Sequence, residues 1–232
     1  MSLHQRVVGL TTSILLIALA GCRPAPPTQS FGERQLQQVL EDRPEMRGVV
    51  ATDSHLAKWI VNRFEGQGTG SRVHWNEREP LSGSAAEHLP AYEGYPANLS
   101  ITKKDSTSPI DKWASLVYEL QNLQETYRSD LFERALNGEF DAEEYAIECV
   151  RSEYSAVLAT RKTLLRYPIS GSIPTRDRWY AWVTSNLLPV DEYIAEVKSG
   201  GRLFKETNYR YFRDHFIEDL APYLAQRDYL ID

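Results

Sequence analysis

The stretch Ser108 to Asn122, SPIDKWASLVYELQN, leaves the chain little choice of local structure. Ser108 is an N-cap residue by type, and Pro109 suits the first helical position, where its missing N–H would have had no partner. Asp111 sets a negative charge against the positive end of the helix dipole. Ile110, Trp113, Val117, Leu120 and Leu123 then recur at helical spacing along one side. The pattern continues through Leu131 and Ala135 to Gly138, which predicts the longest helix of the chain, closed by a glycine.

A second start signal follows at once. Asp141 with Glu144 three residues later makes a capping box, and the helical pattern behind it runs to about Tyr167, before Pro168. Two long antiparallel helices joined by a short loop are expected. Upstream, Phe31 to Arg43 reads as a short helix stopped by Pro44, and Asp53 caps another, carrying Leu56, Trp59, Ile60 and Phe64, that ends at Gly66. Downstream, helices are predicted at about 176–187, 190–198 and 205–226. Only Arg72 to Asn76 and Asn98 to Thr102 read as strands, with a Pro- and Gly-punctuated loop from Pro80 to Pro96 between them. The fold class is α+β, predominantly α-helical with a small β-sheet.

The N-terminus carries an address. His4 and Arg6 precede an apolar run, Ile14 to Leu19, that is too short for a permanent membrane span and is followed by small residues, the form of an export signal. Leu19-Ala20-Gly21-Cys22 resembles the lipobox of bacterial lipoprotein precursors. The resemblance implies cleavage before Cys22, a diacylglycerol on its thiol and usually a third acyl chain on the new amino terminus. Each buried methylene contributes about 0.8 kcal/mol, so two or three such chains hold a domain on a bilayer. Arg23, where an Asp would favour retention, implies the outer membrane, facing the periplasm, if the source has one. The expected organisation is a signal peptide over 1–21, a lipidated Cys22 and Pro-rich tether over 22–30, and one mostly helical domain over 31–232.

Composition narrows the partners. With five Trp, thirteen Tyr and seven Phe the chain has the material for a packed core, and about 100 to 200 residues suffice for one domain. Removal of residues 1–21 takes away one positive charge, Arg6, and leaves 25 against 32, a net charge of about −7. No Lys/Arg stripe runs through it, so nucleic acid is not an expected partner. The expected partners are the membrane, through Cys22, and an unidentified protein or other envelope component. With Cys22 acylated, Cys149 has no internal disulfide partner and reads as a small buried hydrophobe.

In zinc peptidases of the HExxH type, two histidines one helical turn apart bind the metal, and the intervening glutamate activates the bound water. Tyr118-Glu119-Leu120-Gln121-Asn122 resembles that zincin-like helix with Tyr118 and Asn122 in the histidine positions and Glu119 in the base position. The helix around Glu148 to Ala156 resembles the place where zincins keep a third-ligand glutamate, which makes Glu148 and Glu153 the candidates. The resemblance implies a zincin-like fold with a pocket lined by Tyr118, Asn122, Glu148 and Glu153. The departure from it is chemical. A phenol and an amide do not replace two imidazoles, so neither metal nor any other cofactor is expected. The domain reads as a non-catalytic binding or structural module on a degenerate zincin-like scaffold, the alternative being an envelope hydrolase with Glu119 as general base.

Lys112, Ser115, Glu119, Asn122 and Thr126 form a polar stripe at helical spacing. A solvated face is the favoured reading of it, a pocket wall the alternative. His55, His74, His88 and His215 are scattered without ligand spacing, and convergence of His74 or His88 with Glu119 is not expected. Gly66 to Gly70 lacks the Lys and Ser/Thr of a phosphate loop, no G-x-S-x-G elbow occurs, and Glu143 and Glu144 read as first-turn charges. The dense C-terminal aromatics, among them Trp179, Trp182, Tyr209 and Phe216, read mainly as core.

Overall fold

A computed structural model of the chain describes residues 29–50, 54–80, 84–91, 94–123, 127–169, 179–185, 187–200, 207–222 and 224. The chain separates at Ser30, and the unit that starts at Phe31 is the body to which all that follows belongs. Cys22 with its lipobox, Asp53 and Thr126 lie outside the described residues. No helix among the described residues is long and apolar enough to cross a membrane.

Helix α1 spans Phe31–Asp42 and is followed by a 3-10 turn, Pro44–Met46, the short α2, Arg47–Val50, and α3, Ser54–Phe64. Strands β1, Val73–Trp75, β2, Ala86–Leu89, and β3, Ala97–Ile101, form a mixed sheet in the order β1-β3-β2. β3 is central, parallel to β1 with Val73 opposite Ala97 and antiparallel to β2 with His88 opposite Leu99. Then come α4, Pro109–Asn122, α5, Tyr127–Leu136, and α6, Ala142–Arg166. The last elements are α7, Trp179–Thr184, α8, Val190–Lys198, and α9, Thr207–His215, which continues into a π-helical turn, Phe216–Leu220. The body is α+β and predominantly helical.

The capping signals act as their chemistry requires. Ser108 Oγ accepts from the Asp111 N–H at 3.2 Å, Asp141 and Glu144 form the reciprocal capping box, and α6 ends one residue short of Tyr167. Gly138, at φ 75°, closes α5. Its N–H bonds the Ala135 carbonyl and the N–H of Glu139 bonds that of Arg134, the two bonds of a Schellman end.

Two expectations about α4 need correction. The helix does not run on to Gly138: it stops at Asn122, with the Leu123 N–H bonding back to the Glu119 and Gln121 carbonyls, and α6 is the longest described helix at 25 residues. No Pro or Gly marks that end, so the periodicity reads straight across it. Nor is the polar stripe solvated, since Lys112, Ser115, Glu119 and Asn122 are all buried.

The reason is α4's position, with β2 and β3, α3, α6 and α7 all packed around it. Several of its buried polar side chains are tied to neighbouring elements. Asp111 Oδ1 accepts from the Tyr180 N–H of α7 at 3.1 Å, Lys112 pairs with Glu45 of the 3-10 turn, and Gln121 donates to Thr163 Oγ1 of α6 at 2.8 Å. Burying such groups unpaired would cost several kcal/mol each, of the order of about 2–7 for a neutral group. The expected solvated face is therefore the hub of the fold.

Strand β2 falls inside the expected Pro80 to Pro96 loop. Its sequence, Ala-Glu-His-Leu, has no apolar alternation, because the second inward residue is a histidine whose partner is a carboxylate. The expected helices at 176–187 and 205–226 are α7 and α9 with its π turn; residues 176–178, 186, 205, 206, 223, 225 and 226 lie outside the described ones. Cys149 is buried among Leu131, Tyr145 and Phe216.

Candidate functional site around helix α4

Period-two geometry turns Ala86 and His88 of β2 to the same face, and that face packs on α4. His88 Nδ1 lies 2.6 Å from Glu119 Oε2, with both side chains about 10% exposed. Because β2 is an edge of the sheet, this contact joins an edge strand to the central helix. Sequence reasoning missed His88: nothing in Ala86 to Leu89 signals a strand, and strand register alone decides that His88 faces inward.

One turn along α4, the buried Asn122 Nδ2 donates to Glu153 Oε1 of α6 at 3.4 Å. Asn122 Oδ1 is buried with no hydrogen-bond partner, an omission that costs about 1–3 kcal/mol in an ordinary interior. Burial pushes the Glu153 carboxyl up to about 8. Tyr193 of α8 is raised too, by its own burial first, then by the nearness of Glu153 and of Tyr154.

Tyr118 is half-buried and turns away from both carboxylates toward α7. Its ring meets Trp179 edge-on, with centroids 5.3 Å apart at 81°. Trp179 stacks on Trp182 at 5.1 Å, Trp182 on Tyr193 at 6.2 Å, and Tyr193 leans on Tyr154 at 4.8 Å. This row of rings walls the α4–α6 contact on one side. It absorbs much of the aromatic density noted in the C-terminal sequence.

The structure thus brings together Asn122 with Glu153, and Glu119 with His88. It does not bring in Glu148, which lies five residues before Glu153 on α6 and so about 140° around the helix, where it pairs with Arg151 at 3.0 Å. His74 packs against Phe31, not near α4. Among the described residues, no three His, Cys, Asp or Glu side chains gather as a metal site would need. Two surface hollows, one bordered by Arg72, His74 and Tyr95, the other by Leu36, Leu40 and Val61, lie apart from both pairs.

A carboxylate that accepts from an imidazole Nδ1–H fixes the ring's tautomer and orientation, which is the supporting half of many acid–base sites. The same bond is equally a structural pin between strand and helix. Comparison of the chain with protein-family models, with curated proteins and with solved structures gives no match.

Proposed function

We propose that this chain is a bacterial lipoprotein, held on the non-cytoplasmic side of a membrane by acyl chains on Cys22, whose domain serves binding or structure on a degenerate zincin-like scaffold. The sequence Leu19-Ala20-Gly21-Cys22 carries the anchoring. Arg23 favours the outer membrane in a source that has one. The scaffold reading is supported by the Asn122–Glu153 contact, which pairs the second histidine position with an acid of a later helix, and by the edge strand β2 lying on α4. The partner is a protein or another envelope component.

Anchoring is tested by replacing the lipid-bearing residue. Cys22→Ala abolishes acyl labelling and releases the protein from membranes; continued retention would refute the anchor.

The second reading is an envelope hydrolase related to metallopeptidases, with Glu119 as general base. The observation that favours it is the 2.6 Å contact to His88, since an orienting partner is what an acid–base residue needs. Metal analysis of the purified protein, together with Glu119→Gln assayed on peptide and ester substrates, separates the two. Bound zinc or an activity lost in Glu119→Gln supports the hydrolase, and absence of both supports the binding module.

A further inference from the structure

The Asn122–Glu153 contact poses a problem of proton count. Asn122 is 4% exposed and Glu153 6%, and the amide Oδ1 has no donor. If Glu153 were a carboxylate, it would offer acceptors only, and no rotation of the amide would help: turning Asn122 over puts one acceptor oxygen against another. A carboxylic acid offers one acceptor and one O–H, and an amide offers the complementary N–H and C=O along one edge. The two groups can then close a ring of two hydrogen bonds, one of which is the Nδ2 to Oε1 contact already present at 3.4 Å.

We propose that Glu153 is held as the neutral acid in the folded domain, that it donates its proton to Asn122 Oδ1, and that this amide–acid pair is a proton-dependent clamp between α4 and α6. The proposal goes beyond the functional reading above and holds whichever way that reading is decided. Raising the pH removes the bridging proton, leaves a buried carboxylate facing a carbonyl, and loosens the two central helices.

The surroundings favour the neutral form. Among the described residues, Tyr193 of α8 senses the Glu153 carboxyl, Tyr154 adjoins it on α6, and the Cys149 thiol lies one turn back on α6. Several charged groups of the described elements around α6 have partners other than Glu153. Arg134 of α5 pairs with Glu139, Lys198 of α8 and Tyr209 of α9 with Glu143, His215 of α9 with Asp219, and Glu119 of α4 with His88. Arg213 of α9 pairs with Asp214 through Nη2, while its Nε is buried without a hydrogen-bond partner among the described residues. Arg210 of α9 is exposed, and α7 presents the apolar face of Trp182 to Tyr193. Burial pushes the Glu153 carboxyl from 4.5 up to about 8. A raised carboxyl means that the folded state holds the proton longer than the unfolded one. The clamp's contribution is therefore complete below about pH 4.5, declines as pH rises, and is gone above about pH 8.

The test is infrared difference spectroscopy on the full chain, wild type against Glu153→Gln, over this pH window. The expected result is a protonated-carboxyl C=O band at neutral pH that is absent from Glu153→Gln and disappears from wild type as pH passes about 8. Asn122→Leu keeps that band but moves it to the position of an acid without an acceptor. In parallel, the thermal midpoint of wild type falls between pH 5 and 8.5 more steeply than that of Glu153→Gln. Absence of the band at pH 6 overturns the neutral acid, and a band unmoved in Asn122→Leu overturns the clamp. Should Glu153→Gln fail to fold, carbon-13 NMR of glutamate-labelled wild type decides instead. One carboxyl titrating near pH 8 supports the proposal, and all titrating below pH 6 overturns it.

Discussion

A buried ammonium needs an anion within reach, and Lys112 finds one in Glu45, across 67 residues of chain. The Lys112 side chain is 1% exposed and that of Glu45 37%, so the pair sits at the inner end of a solvent path. Partial burial, the largest single influence, pushes the Glu45 carboxyl up, but the hydrogen bond from Lys112, a backbone hydrogen bond and the nearby charges of Lys112 and Arg43 together hold the group below its ordinary value. Removing one partner of such a pair costs more than the pair contributes, because the other charge stays behind. Glu45→Ala is expected to destabilise the domain by about 2 kcal/mol, less than a fully buried pair would lose because water reaches this one. Lys112→Met, which removes the stranded charge and keeps the stem's volume, costs less, and it recovers stability when added to Glu45→Ala. Urea denaturation of the three variants checks this; a double variant no more stable than Glu45→Ala would show that the ammonium is not stranded. No sequence rule foretells the pairing, because Lys112 lies on the polar side of an amphipathic pattern and only the packing of the 3-10 turn against α4 encloses it.

Among the elements, β2 depends most on a single side chain. It is a four-residue edge strand with one hydrogen-bonded neighbour, β3, and its inward face rests on α4 through Ala86 and His88. A hydrogen bond to a charged group contributes about 1.5–3 kcal/mol, so His88→Ala is expected to cost about 2 kcal/mol and to act locally. Amide hydrogen exchange should quicken at Glu87 to Leu89 and stay unchanged at β1. Unchanged protection at β2 would show that strand pairing alone holds it. The local character of this element also explains what the sequence reveals. Caps and turns are written in adjacent residues, so the starts of α4 and α6 and the glycine end of α5 are legible from Ser108, Asp141 and Gly138. β2 is not, since its identity lies in a partner 31 residues away on another element. The end of α4 is illegible for a related reason: periodicity carries across Leu123 because α5 buries the same kind of stripe, through Leu131 and Ala135.

At the scale of the whole body, α6 is the common member of three buried clusters. Val157 and Leu164 belong to the first, with α1, α3, the sheet and α4; Ala146, Val150 and Tyr154 to the second, with α8 and α9; Tyr145 and Cys149 to the third, with α5 and the π turn. Trp182 packs against both the first and the second, and Phe212 against both the second and the third. A cluster that shares its central helix with its neighbours cannot melt without exposing theirs, so the body should unfold as one cooperative unit. The candidate site gains from this arrangement, because both polar pairs lie where α4 meets elements that the shared core fixes. Ile60→Ala, in the first cluster, removes a fully buried side chain and should cost about 2–5 kcal/mol. Ile194→Ala, in the second, should cost a comparable amount, reduced by the slight exposure of that residue. Each is expected to lower the midpoint of the same single transition, followed both by tryptophan fluorescence and by far-ultraviolet circular dichroism. Were the clusters independent, Ile194→Ala would instead split the curve: an early phase at the α6–α8–α9 end would shift alone, and the later phase, reporting the sheet and α4, would stay where it is in the wild type.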